Sequence, residues 1–132
     1  MLDRTISTLP AATERIVQAA IGCAIEVHTH FGPGYLESVY QRAFQIELEL
    51  RGMSYACEQP LKITYKDYPI QGPRLDLVVE QCVLLELKAV DRLQPVHVSQ
   101  VVSYLKATGL GVGLLMDFNV RWMKDGIRRV VL

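Results

Sequence analysis

The stretch LLELKAV, residues 84–90, sets an acid and a base two residues apart inside an apolar run. In a strand, side chains at i and i+2 share a face, so Glu86 and Lys88 point the same way. Burying either without a partner costs several kcal/mol, of order ~5. Upstream, RLDLVVE (residues 74–80) holds a second acid, Asp76, among Leu75, Leu77, Val78 and Val79, although Asp is a poor strand former. Whether the two acids meet depends on the hairpin between them. A two-residue loop at 81–82 sets Asp76 opposite Leu87 and puts the acids on opposite faces. A three-residue loop at 80–82 sets Asp76 opposite Glu86, with side chains ~5 Å apart. Carboxylates that close need a cation or a shared proton between them. With a lysine alongside, the group suits a magnesium site for hydrolysis. The rival reading is a wet sheet face, where Glu/Lys pairs are common and contribute little.

Two helical stretches can bring further polar groups to this strand pair. In a helix expected over 35–51, Leu36, Val39, Tyr40, Ala43, Glu47 and Leu50 define the main buried arc, and Glu37 falls on its flank between Phe44 and Leu48. Glu47 pairs with Arg51 one turn on. A later helix starts at Pro95 and ends at Gly109. On it His97, Gln100 and Tyr104 form a polar stripe beside Val98, Val101, Val102 and Leu105. Converging buried polar groups point to a shared site, with a satisfied core network as the competing account. His28 and His30 are no metal pair, because two positions apart on a helix they diverge by about 200°. Both lie near a helix C-terminus, where the dipole favours them. Trp122 with Arg121 and Lys124 is thin evidence for a base-stacking platform.

The remaining elements follow from pattern. Residues 11–30 place Ile16, Val17, Ala20, Ile21, Ala24 and Val27 on one helical face, and the helix must stop at FGPGY. Gly52 closes the second helix. Residues 53–90 read as three or four antiparallel strands, broken at 58–60, 66–67, 72–73 and 80–82. LGVGLLMDF is an interior strand, and a short strand at 127–132 follows the last turn. The order α-α-β-β-β-α-β is that of an α/β domain with a mixed sheet flanked by helices.

A chain of 132 residues, half hydrophobic and 21% charged, fits one globular domain over residues 1–132, with 1–10 as an N-terminal extension. A formal net charge of zero supplies no global pull toward nucleic acid or membrane. Arg121, Lys124, Arg128 and Arg129 nevertheless crowd one end of the chain, and a solvated edge explains them best. Cys23, Cys57 and Cys82 have neither disulfide nor zinc spacing. MLDRTISTLP lacks an apolar leader core, and no run is long enough to span a membrane. The expected location is the cytoplasm.

GYLESVY, with Gly34, Glu37 and Tyr40, matches the Gly-x-x-Glu-x-x-Tyr signature of the GxxExxY family of small bacterial proteins. RLDLVVE, ELKAV and HVSQVVSYLKATG resemble that family's later blocks in the same order, so the resemblance covers the chain from about residue 13 onward. The family is grouped with the PD-(D/E)xK nucleases, which implies a restriction-endonuclease-like fold and metal-dependent hydrolysis of phosphodiester bonds in nucleic acid, with DNA the expected substrate. The resemblance implies Asp76 and Glu86 as ligands of Mg²⁺ (Mn²⁺ as substitute), aided by the Leu87 carbonyl and by Glu37 through water. It implies Lys88 as the catalytic lysine and Gln100 and Tyr104 as a Gln-x-x-x-Tyr motif, in which Gln100 positions substrate or a metal-bound water and Tyr104 braces Gln100. His97, on the same polar stripe, is a further candidate for substrate contact. Leu75 stands where the eponymous motif has proline. The alternative is a catalytically silent domain of this fold that binds nucleic acid or a protein partner. A homodimer is left open.

Overall fold

The protein, a computed structural model, is described over residues 9–132, so the expected extension at 1–10 lies almost wholly outside the described residues. Helix α1 (Ala11–Phe31) and helix α2 (Glu37–Leu50) lead into strands β1 (Tyr55–Tyr65), β2 (Tyr68–Val79) and β3 (Val83–Lys88). Helix α3 (Pro95–Thr108), strand β4 (Val112–Asp117), a short 3₁₀ turn (Met123–Gly126) and strand β5 (Ile127–Val131) complete the chain. The expected order is observed, and the anticipated last strand is present. Among the described residues no helix is long and apolar enough to cross a membrane.

The five strands lie in the order β1-β2-β3-β4-β5. β1–β2, β2–β3 and β4–β5 pair antiparallel, while β3–β4 is parallel and needs α3 as its crossover. Alternation along β3 divides the core. Val83, Leu85 and Leu87 meet α1 and α2, whereas Leu84 meets Val101 and Leu105 of α3 on the other face. Glu86 shares the parity of Leu84 and so belongs to the α3 side.

Two of the expected strand breaks do not occur. β1 runs through 58–60 and β2 through 72–73, forming one long hairpin. β1 is an edge strand and tolerates the missing N–H of Pro60. At 72–73 the register shifts by one residue, so Gly72 and Pro73 together oppose Leu61 as a bulge. Turn signals that normally end strands are absorbed here as an irregularity within them.

Helix α2 begins at Glu37 rather than at Tyr35, and its buried line also differs from the expected one. Tyr40, Phe44 and Leu48 are fully buried, while Leu36 and Leu50 are each 76% exposed. Glu37 is in line with Phe44 and Leu48 at 100° per residue, so it heads the buried stripe instead of flanking it. The corner before α2 sets this rotation. The Tyr40 hydroxyl donates to the Gly32 carbonyl (2.6 Å) and accepts the Tyr35 N–H (3.1 Å), and its ring stacks on Phe118 at 4.6 Å. Gly34 turns the chain there at φ 111°, a conformation open to glycine alone at low cost. These contacts account for the spacing of GYLESVY: a turn, an acid at the helix start and a tyrosine that locks both. The Glu47–Arg51 pair forms as expected, at 2.8 Å.

Candidate active site

The β2–β3 register decides the first question. Leu77 opposes Leu85 and Val79 opposes Val83, so the loop is the three-residue one at 80–82, and Asp76 falls opposite Glu86 one step beyond the ladder. Glu80 and Gln81 turn this loop with φ of 50° and 59°. At Asp76 the backbone ladder gives way to side chains. The Asp76 N–H donates to Glu86 Oε1 (3.4 Å), and Asp76 Oδ2 accepts the Leu87 N–H (2.8 Å). Because the N–H and C=O of one strand residue point to the same side, the Leu87 carbonyl faces this edge as well. The Lys88 carbonyl points the other way and accepts the Phe118 N–H of β4 at 2.9 Å.

The electrostatics are those of an acid pair held in a poorly solvated place. Glu86 is 4% exposed, and burial, followed by the Asp76 charge, pushes its carboxyl up to about 8. Burial also raises Asp76, against the pull of the Leu87 N–H and of Lys88. The two carboxyls are close enough to share a proton. Glu37 comes to them from α2 on the opposite face. Its carboxyl is raised by burial and then by Asp76, while Lys88 opposes the rise. Tyr104 reaches the pair from α3, its hydroxyl raised by burial and then by Glu86 and Asp76. Gln100, half-buried, lies one turn earlier on the same helix face. The fold thus brings Glu37, Asp76, Glu86, Lys88 and Tyr104 to one end of the sheet, with Gln100 beside them.

His97 is occupied differently. Its Nδ1 accepts the Gln94 N–H at 2.9 Å, capping the start of α3. His28 is buried and its Nε2 lies 2.7 Å from the Val120 carbonyl, to which it donates, so it anchors a loop and shares nothing with His30. The sequence reading missed Asp117. It is 1% exposed, opposite Lys88 in the parallel register, and its Oδ1 accepts the N–H groups of Val90 and Asn119 at 3.1 Å each. An acid inside the apolar run GLLMDF is all that marks it in the sequence, and it does not say what the acid binds.

Two carboxylates and a strand-edge carbonyl are hard oxygen donors, and a buried acid pair with raised pKa gains from a cation. The set fits a divalent ion that keeps several waters, as Mg²⁺ does. Among the described residues no third His, Cys, Asp or Glu joins them in a metal-sized cluster.

No curated protein and no solved structure matches the chain. The family described as the PD-(D/E)XK nuclease superfamily matches residues 14–130, nearly the whole length and every element above. The α/β fold with its mixed sheet is the one expected from the sequence, and the chain belongs to the PD-(D/E)XK nuclease superfamily.

Proposed function

We propose that the protein hydrolyses phosphodiester bonds of nucleic acid, DNA in the first instance, with Mg²⁺ as cofactor. The observation that carries this reading is the opposed, buried Asp76–Glu86 pair at one end of the central strands β2 and β3, with Lys88 on the same face. Asp76, Glu86 and the Leu87 carbonyl hold the ion, whose chemistry is to lower the pKa of a water and to polarise the phosphate. Lys88 orients the attacking water and offsets charge that grows on the phosphate oxygens. Glu37 holds water on the far side of the pair. Tyr104 braces the site from α3, and Gln100 positions the strand. The Gly34, Glu37 and Tyr40 spacing supports assignment to the GxxExxY branch.

A silent, nucleic-acid-binding domain is the second reading, and one observation favours it: Asp76 and Glu86 already accept the Leu87 and Asp76 N–H groups, so the pair is partly satisfied without an ion. Cleavage of single- and double-stranded DNA and RNA with Mg²⁺ or Mn²⁺, beside Lys88→Ala, separates the two. Hydrolysis that Lys88→Ala lowers by about 10²–10⁴-fold supports the enzyme. Binding without any turnover supports the silent domain.

A further inference from the structure

A second feature lies at the same end of the sheet and takes no part in the chemistry above. β4 runs parallel to β3, so the loop that follows Asp117 leaves the sheet beside Lys88. Between this loop and the end of α1 is a cavity of about 670 Å³ lined by Ile25, Thr29, Arg121, Trp122, Met123 and Lys124, with His28 and Gly32 also in its wall. Trp122 is the only tryptophan in the chain and is 58% exposed. A large ring this exposed leaves apolar surface that no buried side chain covers. The loop that carries it is firmly held. His28 donates to the Val120 carbonyl at 2.7 Å, Asp117 accepts the Asn119 N–H at 3.1 Å, and the buried Met123 follows directly.

The charged residues that line the cavity are of one sign, and the exposed Asp125, whose N–H donates to the Trp122 carbonyl at 3.0 Å, lies outside its wall. The Arg121 guanidinium lies 5.2 Å from the Trp122 centroid, and Lys124 lines the same cavity, which has no acid in its wall. Neither cation makes an ion pair among the described residues, whereas Arg129 is bound to Glu14. We infer that this cleft is a stacking site for an unpaired nucleobase, with Trp122 as the platform and Arg121 and Lys124 as holders of the flanking phosphates. The inference deepens the nuclease reading and rests on it for the kind of ligand. An aromatic face with two cations binds single strands with little regard for sequence, because every base offers a π-face and every link a charge. A duplex keeps its base faces inside its own stack. Trp122 is five residues from Asp117, so at most about 17 Å of chain separates the platform from the Lys88 end of β4. A single strand long enough to span that distance can occupy the platform and the acid pair together, which makes the preferred substrate one with an unpaired end or flap.

The single tryptophan reports directly on its own site. Full-length protein is titrated in metal-free buffer with an oligothymidylate and, separately, with a blunt duplex of equal phosphate content. The single strand is expected to quench Trp122 fluorescence saturably, and the duplex is not. Trp122→Ala should weaken binding of a labelled oligothymidylate, read by anisotropy, about tenfold or more, and Trp122→Phe should recover part of the loss. Arg121→Ala with Lys124→Ala should flatten the salt dependence of log K by about 1.4. Binding by anisotropy with unquenched Trp122, or equal quenching by duplex, overturns the inference. Cleavage measured alongside shows what else falls. Lys88-dependent hydrolysis that Trp122→Ala leaves unchanged on every substrate sinks the stacking site and spares the nuclease reading. Absence of binding and of cleavage sinks both.

Discussion

Glu86 carries its charge against its surroundings. Burial and Asp76 push its carboxyl up to about 8, above its value of about 4.5 in an unfolded chain. A carboxyl raised on folding takes up a proton, so its site is least costly below about pH 4.5 and grows more costly as pH rises through 8. Asp76 is raised in the same direction. The metal-free protein should therefore lose thermal stability between pH 5 and pH 9, and Glu86→Gln should remove most of that loss. A wild-type melting curve that is flat over this range, measured by calorimetry, would argue against a strained acid pair. Asp76 has a second duty, accepting the Leu87 N–H at 2.8 Å. Asp76→Ala leaves that buried donor unpaired and should cost about 1–3 kcal/mol by urea denaturation. Asp76→Asn keeps an acceptor and should fold nearly normally, yet it should abolish hydrolysis because the negative charge is gone.

At the scale of elements, helix α3 matters because it presents Gln100 and Tyr104 to the strands. It can lie close to β4 because of Gly113, where an added Cβ would come 2.6 Å from a Val101 methyl. Gly113→Ala should push α3 outward, destabilise by about 1–3 kcal/mol and lower activity beyond what the remaining folded fraction explains. Activity per folded molecule, with the fraction folded from circular dichroism, is the check. The helices and strands were largely legible from period and from Gly/Pro punctuation, and the shared face of Glu86 and Lys88 follows from strand parity alone. The loop length was not, because residues 80–82 read Glu-Gln-Cys and hold no Gly or Asn to announce two left-handed residues. Nor was the rotation of α2, which the Tyr40 hydroxyl fixes through partners outside the helix. Asp117 was hidden for a different reason: it binds only backbone N–H groups, which no side-chain pattern can reveal.

For the molecule as a whole, a cation that binds the folded state alone must raise its stability. Mg²⁺ at a hundredfold excess over its Kd should raise the Tm by about 5–10 °C. The rise should be larger at pH 8 than at pH 5, where protons already occupy the acid pair. Glu86→Gln should show little rise at either pH. Equal shifts in wild type and Glu86→Gln, by scanning calorimetry, would place the ion elsewhere. The site residues come from both faces of one sheet and span positions 37 to 104. No single hairpin or helix contains them, so metal-dependent stabilisation reports on the assembled fold.

The parallel register of β3 with β4 also bears on how the chain is made. By the time residue 104 leaves the ribosome, every acid of the site and its lysine have been synthesised. β4 is still missing, and with it Asp117 opposite Lys88 and the Phe118 N–H that holds the Lys88 carbonyl. Without its neighbour, β3 is a bare edge in the middle of an unfinished sheet. A nascent chain therefore carries the ingredients of a nuclease before it has the geometry of one. Cutting power, on the activity proposed here, arrives only once β4 and β5 have joined the sheet.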